Sequence, residues 1–129
     1  MPSPDQHAWS NALLPISSTI QDAIQSLNAS TLQIVLVVDE HGKLLGTVTD
    51  GDIRRGLLRG LDLRAGIEQI LFTNPLVAPP EMSREMILHL MRANRLLQMP
   101  VVDEQRRVVG LHLWNNIIAQ PERDNLMVI

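Results

Sequence analysis

An internal repeat with an offset of 64 residues constrains this chain more than any other feature. LQIVLVVDEHGKLLGTVTDGDI (32–53) lies over LLQMPVVDEQRRVVGLHLWNNI (96–117), with identities at Leu32/Leu96, Val37/Val101, Val38/Val102, Asp39/Asp103, Glu40/Glu104, Gly46/Gly110 and Ile53/Ile117. The pattern extends backward, TIQDAIQSLNAS (19–30) matching SREMILHLMRAN (83–94). A four-residue VVDE can recur by chance, but a whole module in register marks a tandem duplication. Half the chain, about 60 residues, would be marginal alone, because so small a domain buries too little of its surface. The two copies are therefore expected to share one core.

Each copy reads as strand, helix, strand, strand, helix. In the first, ALLPI suits a short strand. Ile20, Ala23, Ile24 and Leu27 then form one apolar face at helical spacing, with Ser18 or Thr19 placed to cap it. QIVLVV is a β-branched run suited to a buried strand, and DEHGK is a turn in which Gly42 can take positive φ. LLGTV returns antiparallel, and a second helix starts near Asp50 with Ile53, Leu57 and Leu58 expected inward. The second copy repeats this with PLVAP (75–79), SREMILHLMRAN, QMPVV, DEQRR and VVGLHL, then a short helix ended by Pro121. A helical crossover makes the first two strands of a copy parallel, and the short turn makes the next pair antiparallel. The linker RGLDLRAGIEQILFT is expected to hold another short helix with Ile67, Ile70 and Leu71 inward. The fold class is thus α/β (α+β), two modules packed sheet to sheet about a pseudo-twofold.

Several function classes drop out on composition. The net charge of −3 and the three aromatics Trp9, Phe72 and Trp114 speak against a nucleic-acid surface. The chain has no cysteine, so it has neither disulfides nor thiolate metal sites, which fits a reducing compartment. The N-terminus lacks the pattern of a secretory signal, and no apolar run approaches the roughly 20 residues that span a bilayer. A cytoplasmic protein without membrane or nucleic-acid partners is expected. His7, His41, His89 and His112 lack metal-ligand spacing, and no serine has a histidine placed beside it in the repeat, so neither a metal site nor catalysis is expected from this segment. Met82, Met86, Met91 and Met99 suit core or interface filling.

The chemistry concentrates in GTVTDGD (46–52), where a strand gives way to a helix. Thr49-x-x-Asp52 fits a capping box, in which hydroxyl and carboxylate satisfy the first backbone N–H groups. It also fits a ligand grip. A helix N-terminus at a strand end is a ready anion site, and Gly51 lets a ligand approach the backbone. Thr49 can donate to a phosphate oxygen. Asp52 can accept both vicinal hydroxyls of a ribose, and a nucleoside phosphate supplies both groups. Asp50 and Asp52 could bind Mg²⁺ alongside such a phosphate. Arg54 and Arg55 lie one turn in, where one could balance a polyphosphate; the alternative is a solvated basic face with Arg59. The second copy keeps Gly110 but has Leu113 in place of Thr49 and Asn116 in place of Asp52. Trp114 there could stack on a purine or fill the pocket. One competent and one degraded site are expected.

The paired VVDE…G hairpins, the module order and VTDGDIRRGL together resemble the CBS-domain pair, or Bateman module, over residues 11 to 119. The resemblance implies modules at 11–60 and 75–119, joined by a linker at 61–74, with tails at 1–10 and 120–129. It implies adenosyl ligands (AMP, ADP, ATP or S-adenosylmethionine) held by a G-x-x-[ST]-x-x-D pattern that Gly46, Thr49 and Asp52 match. It further implies a homodimer formed through the modules. PERDNLMVI at the C-terminus resembles the linker and first-strand start of a sugar-phosphate nucleotidyltransferase, which would make the module the regulatory part of a longer enzyme. Three functions stand in order: ligand sensor, dimerising scaffold, and enzyme in its own right.

Overall fold

The computed structural model describes residues 8–119. Strand β1 (Leu13–Pro15) is followed by helix α1 (Ile20–Ala29), strands β2 (Val35–Val38) and β3 (Leu44–Val48), and helix α2 (Asp50–Leu58). After a 3-10 turn at Ile67–Gln69 come α3 (Arg84–Ala93), β4 (Gln98–Val102), β5 (Val108–Leu113) and α4 (Trp114–Ala119). β1 pairs parallel with β2, β2 antiparallel with β3, and β4 antiparallel with β5, as the helical crossover and short turns require.

The duplication is visible bond by bond. Both hairpins carry an irregularity at the same place, after Val37 and after Val101. Their tips pair with each other: Lys43 bridges Arg107, its repeat equivalent, while the Leu44 N–H donates to the Arg106 carbonyl at 2.9 Å and the Val108 N–H to the Gly42 carbonyl at 3.1 Å. These last two bonds are images of one another under the 64-residue shift, so a pseudo-twofold passes between the tips. Gly42 takes φ 81°, as its turn position requires, and Arg106 takes φ 66° at the equivalent place. Arg106 Nε also donates to the Leu44 carbonyl at 3.2 Å, a contact glycine cannot make.

Each tip is closed by an aspartate. Asp39 Oδ1 accepts from the backbone N–H groups of His41 and Lys43, and Asp103 Oδ1 from those of Gln105 and Arg107. The Lys43 and Arg107 N–H groups hold these two carboxyls below the ordinary aspartate range. A depressed folded-state pKa adds stability that is present above the unfolded value of about 3.9 and is lost as pH falls through the folded value. Acid titration followed by circular dichroism should therefore show stability falling below about pH 4, and less steeply when Asp39 and Asp103 are both asparagine. Equal slopes would refute the role of these turns.

Burial explains why the strands read as unbroken apolar runs. Val35 and Val37 face α1 and α2, in a cluster with Ile20, Ala23, Val48, Ile53, Ile67 and Ile70. Leu36 points the other way, into a second cluster with Ile34, Leu44 and Val102, against which Leu111 and Leu113 pack. A strand covered on both faces has no polar side to alternate with. The third cluster, Ala78, Ile87, Met91, Met99 and Ile117, lies under the helices of the second copy, with Met82 packed against it; Met86 is exposed.

Two expectations need correction. Ile53 is buried on α2, but Leu57 and Leu58 are 40% and 80% exposed. The residue facing inward one turn after Ile53 is Gly56, where a Cβ would stand 2.5 Å from Ile70 Cγ2. The linker packs so closely that only hydrogen fits, and the leucines turn outward. PLVAP forms no strand; Ala78 alone makes a parallel bridge, to Val101. Pro75, Pro79 and Pro80 have no N–H to extend the ladder. In the linker, Ile67 is buried in a single 3-10 turn and Ile70 just after it, as expected, and Leu71, partly buried, packs against the same cluster. Pro121 and PERDNLMVI lie outside the described residues.

Candidate functional site

Thr49 follows β3 in extended conformation and stands at the N-cap of α2. Asp52 Oδ2 accepts from the Thr49 backbone N–H at 2.9 Å and from its hydroxyl at 3.1 Å, while Oδ1 accepts from Arg55 Nη2 at 2.7 Å. The chain offers an internal comparison, because α1 opens on the same T-x-x-D spacing. There the Thr19 hydroxyl accepts from the Asp22 N–H at 3.2 Å and Asp22 Oδ2 accepts from the Thr19 N–H at 3.0 Å, a capping box at the surface. At α2 the capping box is present as well, and in addition the threonine hydroxyl donates to the carboxylate while an arginine occupies the other oxygen. Capping explains the first arrangement fully and the second only in part.

Position separates the two further. Thr49, Asp52 and Arg55 line a cleft of about 270 Å³ between the copies. Thr47 and Ile34 of the first copy complete one side; Phe72, Pro75, Leu76, Leu96, Gln98 and Pro100 form the other. Charged and hydroxyl groups of the first copy thus face a wall that is apolar except for Gln98, the pattern of a small-molecule site. The Arg55 side chain is 65% exposed at the mouth and Asp52 only 15%. A larger hollow of about 480 Å³ lies beside the second hairpin, lined by Glu81, Asp103, Glu104 and four apolar residues among others. Its side-chain charges are all negative, so an anionic ligand would be repelled there.

Not every expected residue reaches the cleft. Gly46 lies behind it: a Cβ there would stand 2.5 Å from the Phe72 carbonyl oxygen, so this glycine admits the linker rather than a ligand. That approach lets Phe72 and Thr47 exchange two backbone hydrogen bonds of 3.0 Å. Gly51 leaves room for Arg55, whose Nη1 would be 3.2 Å from an added Cβ. Asp50 and Arg54 are exposed outside the cleft wall. Arg59 is exposed like Arg54 and Arg55, and its Nη2 donates to the Gln69 carbonyl at 3.0 Å.

A pseudo-equivalent cleft of about 290 Å³ lies on the other side, lined by Thr31, Leu32, Gln33, Leu97, Gln98, Leu113, Trp114, Asn115 and Asn116. No charged side chain lines it, and Gly110 is not in its wall. Trp114 packs against the third core cluster with the Arg92 guanidinium 5.9 Å from its ring centre, so it fills space and forms a wall at once. His112, half-buried on β5, is held below the ordinary histidine value by burial.

The sequence reading missed Ile34, Thr47, Phe72, Pro75, Leu76, Leu96, Gln98 and Pro100 as cleft residues. One signal was present: Gln98 is an amide where its repeat equivalent is Ile34, in a strand otherwise apolar.

Comparison with known proteins places these features in a family. Residues 11–59 and 67–111 each match the CBS domain. The chain is 34% identical over 96 residues to arabinose 5-phosphate isomerase KdsD of Pseudomonas aeruginosa, covering 74% of this chain and 29% of that protein. It is 32% identical over 93 residues to L-aspartate semialdehyde sulfurtransferase of Methanocaldococcus jannaschii, covering 72% and 18% respectively. This chain therefore spans less than a third of either relative. Among solved structures, the CBS domain pair of protein MJ0100, in complex with 5′-methylthioadenosine and S-adenosyl-L-methionine, superimposes with a TM-score of 0.72 at 29% identity, over 82% of this chain and 83% of that one. The cytosolic domain of the Mg²⁺ channel MgtE, in complex with ATP, shares the fold with a TM-score of 0.71 at 21% identity, over 83% of this chain and 43% of that one.

Proposed function

This chain belongs to the CBS domain family, and on that premise we propose that it is a regulatory module whose first cleft holds an adenosine-containing nucleotide. The carrying observation is the junction of Thr49, Asp52 and Arg55 in a slot built from both copies, facing a wall that is apolar except for Gln98. A ribose hydroxyl pair takes over the Asp52 carboxylate, and Arg55, released from Asp52, turns to the phosphate. Asp52 stays paired throughout, first by guanidinium and then by ribose, so no buried charge is left uncompensated. The complex of the MJ0100 pair with two adenosyl compounds supports this ligand class. AMP, ADP, ATP and S-adenosylmethionine are the candidates, with the second cleft degraded by Leu113 and Asn116.

Because walls from both copies meet on the ligand, occupancy shifts one copy against the other. A coupling of roughly 1–3 kcal/mol suffices for control. The module itself is not the catalyst in this reading. Relatives with enzyme names extend well beyond the matched segment, which supports attachment to an enzyme. That this enzyme is a nucleotidyltransferase rests on PERDNLMVI alone. The modules take residues 11–60 and 75–119, joined by 61–74.

A second reading, a dimerising scaffold in which Asp52 only caps α2, is favoured by the exposed Leu57, Leu58, Met86 and Ile118 on the helices. A thermal-shift screen with the four ligands separates the two. A site filled at 100 times its Kd adds about 2.7 kcal/mol of apparent stability. No shift with any of them, in a folded dimer, would leave the scaffold.

A further inference from the structure

Gln98 stands where the two clefts share a wall. Its Nε2 donates to the Leu32 backbone carbonyl at 3.2 Å. A peptide carbonyl only accepts, so this bond fixes which way the amide is turned. The NH₂ is held by Leu32, which lines the second cleft and not the first, and Oε1 accepts no hydrogen bond among the described residues, so Oε1 is the amide atom left to meet a ligand in the first. Everything else that the second copy and the linker bring to the first cleft is apolar: Phe72, Pro75, Leu76, Leu96 and Pro100. The remaining polar side chains there come from the end of β3 and the start of α2, where phosphate and ribose are held. A ring lying in the apolar slot therefore meets one neutral polar side chain, and that side chain presents an acceptor.

We infer that Gln98 determines base specificity, its Oε1 accepting from an exocyclic amine and so selecting 6-aminopurine over 6-oxopurine nucleotides. The inference rests on the reading that the first cleft binds a nucleotide. A 6-oxopurine turns a carbonyl toward Oε1, and two acceptors face each other with no proton between them. The amide cannot simply flip to meet it, because Oε1 would then oppose the Leu32 carbonyl. By the repeat, Ile34 stands at the matching position of the first copy and offers the second cleft no such reader.

Calorimetric titration of the full chain with AMP and with IMP tests this, alongside Gln98→Leu and Gln98→Met; the methionine variant matches glutamine in length should leucine disturb folding. The unaltered chain should bind AMP about tenfold or more tightly than IMP. In either variant the preference should shrink to about twofold or less, mainly through weaker AMP binding. Equal affinity for AMP and IMP in the unaltered chain, or a preference that survives both substitutions, overturns the role of Gln98 while leaving the nucleotide site standing. Binding of neither nucleotide overturns both.

Discussion

Asp52→Ala should weaken AMP binding by about 100-fold or more, since it removes the acceptor for two charge-assisted hydrogen bonds worth about 1.5–3 kcal/mol each. The same change also removes the partner of the Thr49 N–H, which costs about 0.5–2 kcal/mol of stability as any cap does. Asp22→Ala separates the two effects. Asp22 closes the same T-x-x-D pattern on α1, away from the cleft, so its loss should cost similar stability and leave AMP affinity unchanged. Titration calorimetry and thermal melts on both variants decide the matter. If Asp52→Ala binds AMP as the unaltered chain does, Thr49 and Asp52 are only a cap. Freed from its carboxylate in this variant, Arg55 can still meet a phosphate, so the residual affinity should depend more strongly on salt.

Leu36→Ala should destabilise the chain by about 2–5 kcal/mol, the usual cost of emptying a leucine-sized volume in a packed core. The fall in Tm should be on the order of 10 °C. Leu36 is fully buried in the cluster that joins the copies, so its loss strikes the contact on which each module depends. Chemical denaturation should still show one transition, because neither copy is expected to persist without the other. Leu58→Ala provides the contrast. At 80% exposure it should change stability by less than about 0.5 kcal/mol, although its place in the apolar pattern of α2 suggested a core residue. A Leu36→Ala chain as stable as the original would mean that the copies fold independently.

Much of this protein was legible because its information is local. The offset of 64 residues announced two equivalent modules, and the strand–turn–strand order followed from β-branched runs flanking DEHGK and DEQRR. Turn chemistry is local as well: an aspartate reaches N–H groups two and four residues ahead, so the aspartate of VVDE closes the same turn twice. The junction of Thr49 with Asp52 was readable for the same reason, three residues being one helical turn.

What the sequence could not show depends on contacts between residues far apart along the chain. Gly46 matches a ligand motif, yet its missing Cβ makes room for the Phe72 carbonyl, 26 residues away. Leu57 and Leu58 lost the core to Gly56 because Ile70 lies closer to the helix than any side chain allows. The apolar wall of the first cleft is assembled from the end of the linker, the start of the second module and the stretch leading into β4, none of which carries a motif. The sequence by itself determined the modules, their turns and the polar end of one site, since each depends on residues within a turn or a hairpin of one another. Only the tertiary structure decided which glycines serve packing and what stands opposite Asp52, because those follow from how closely two copies of one module approach across their shared axis.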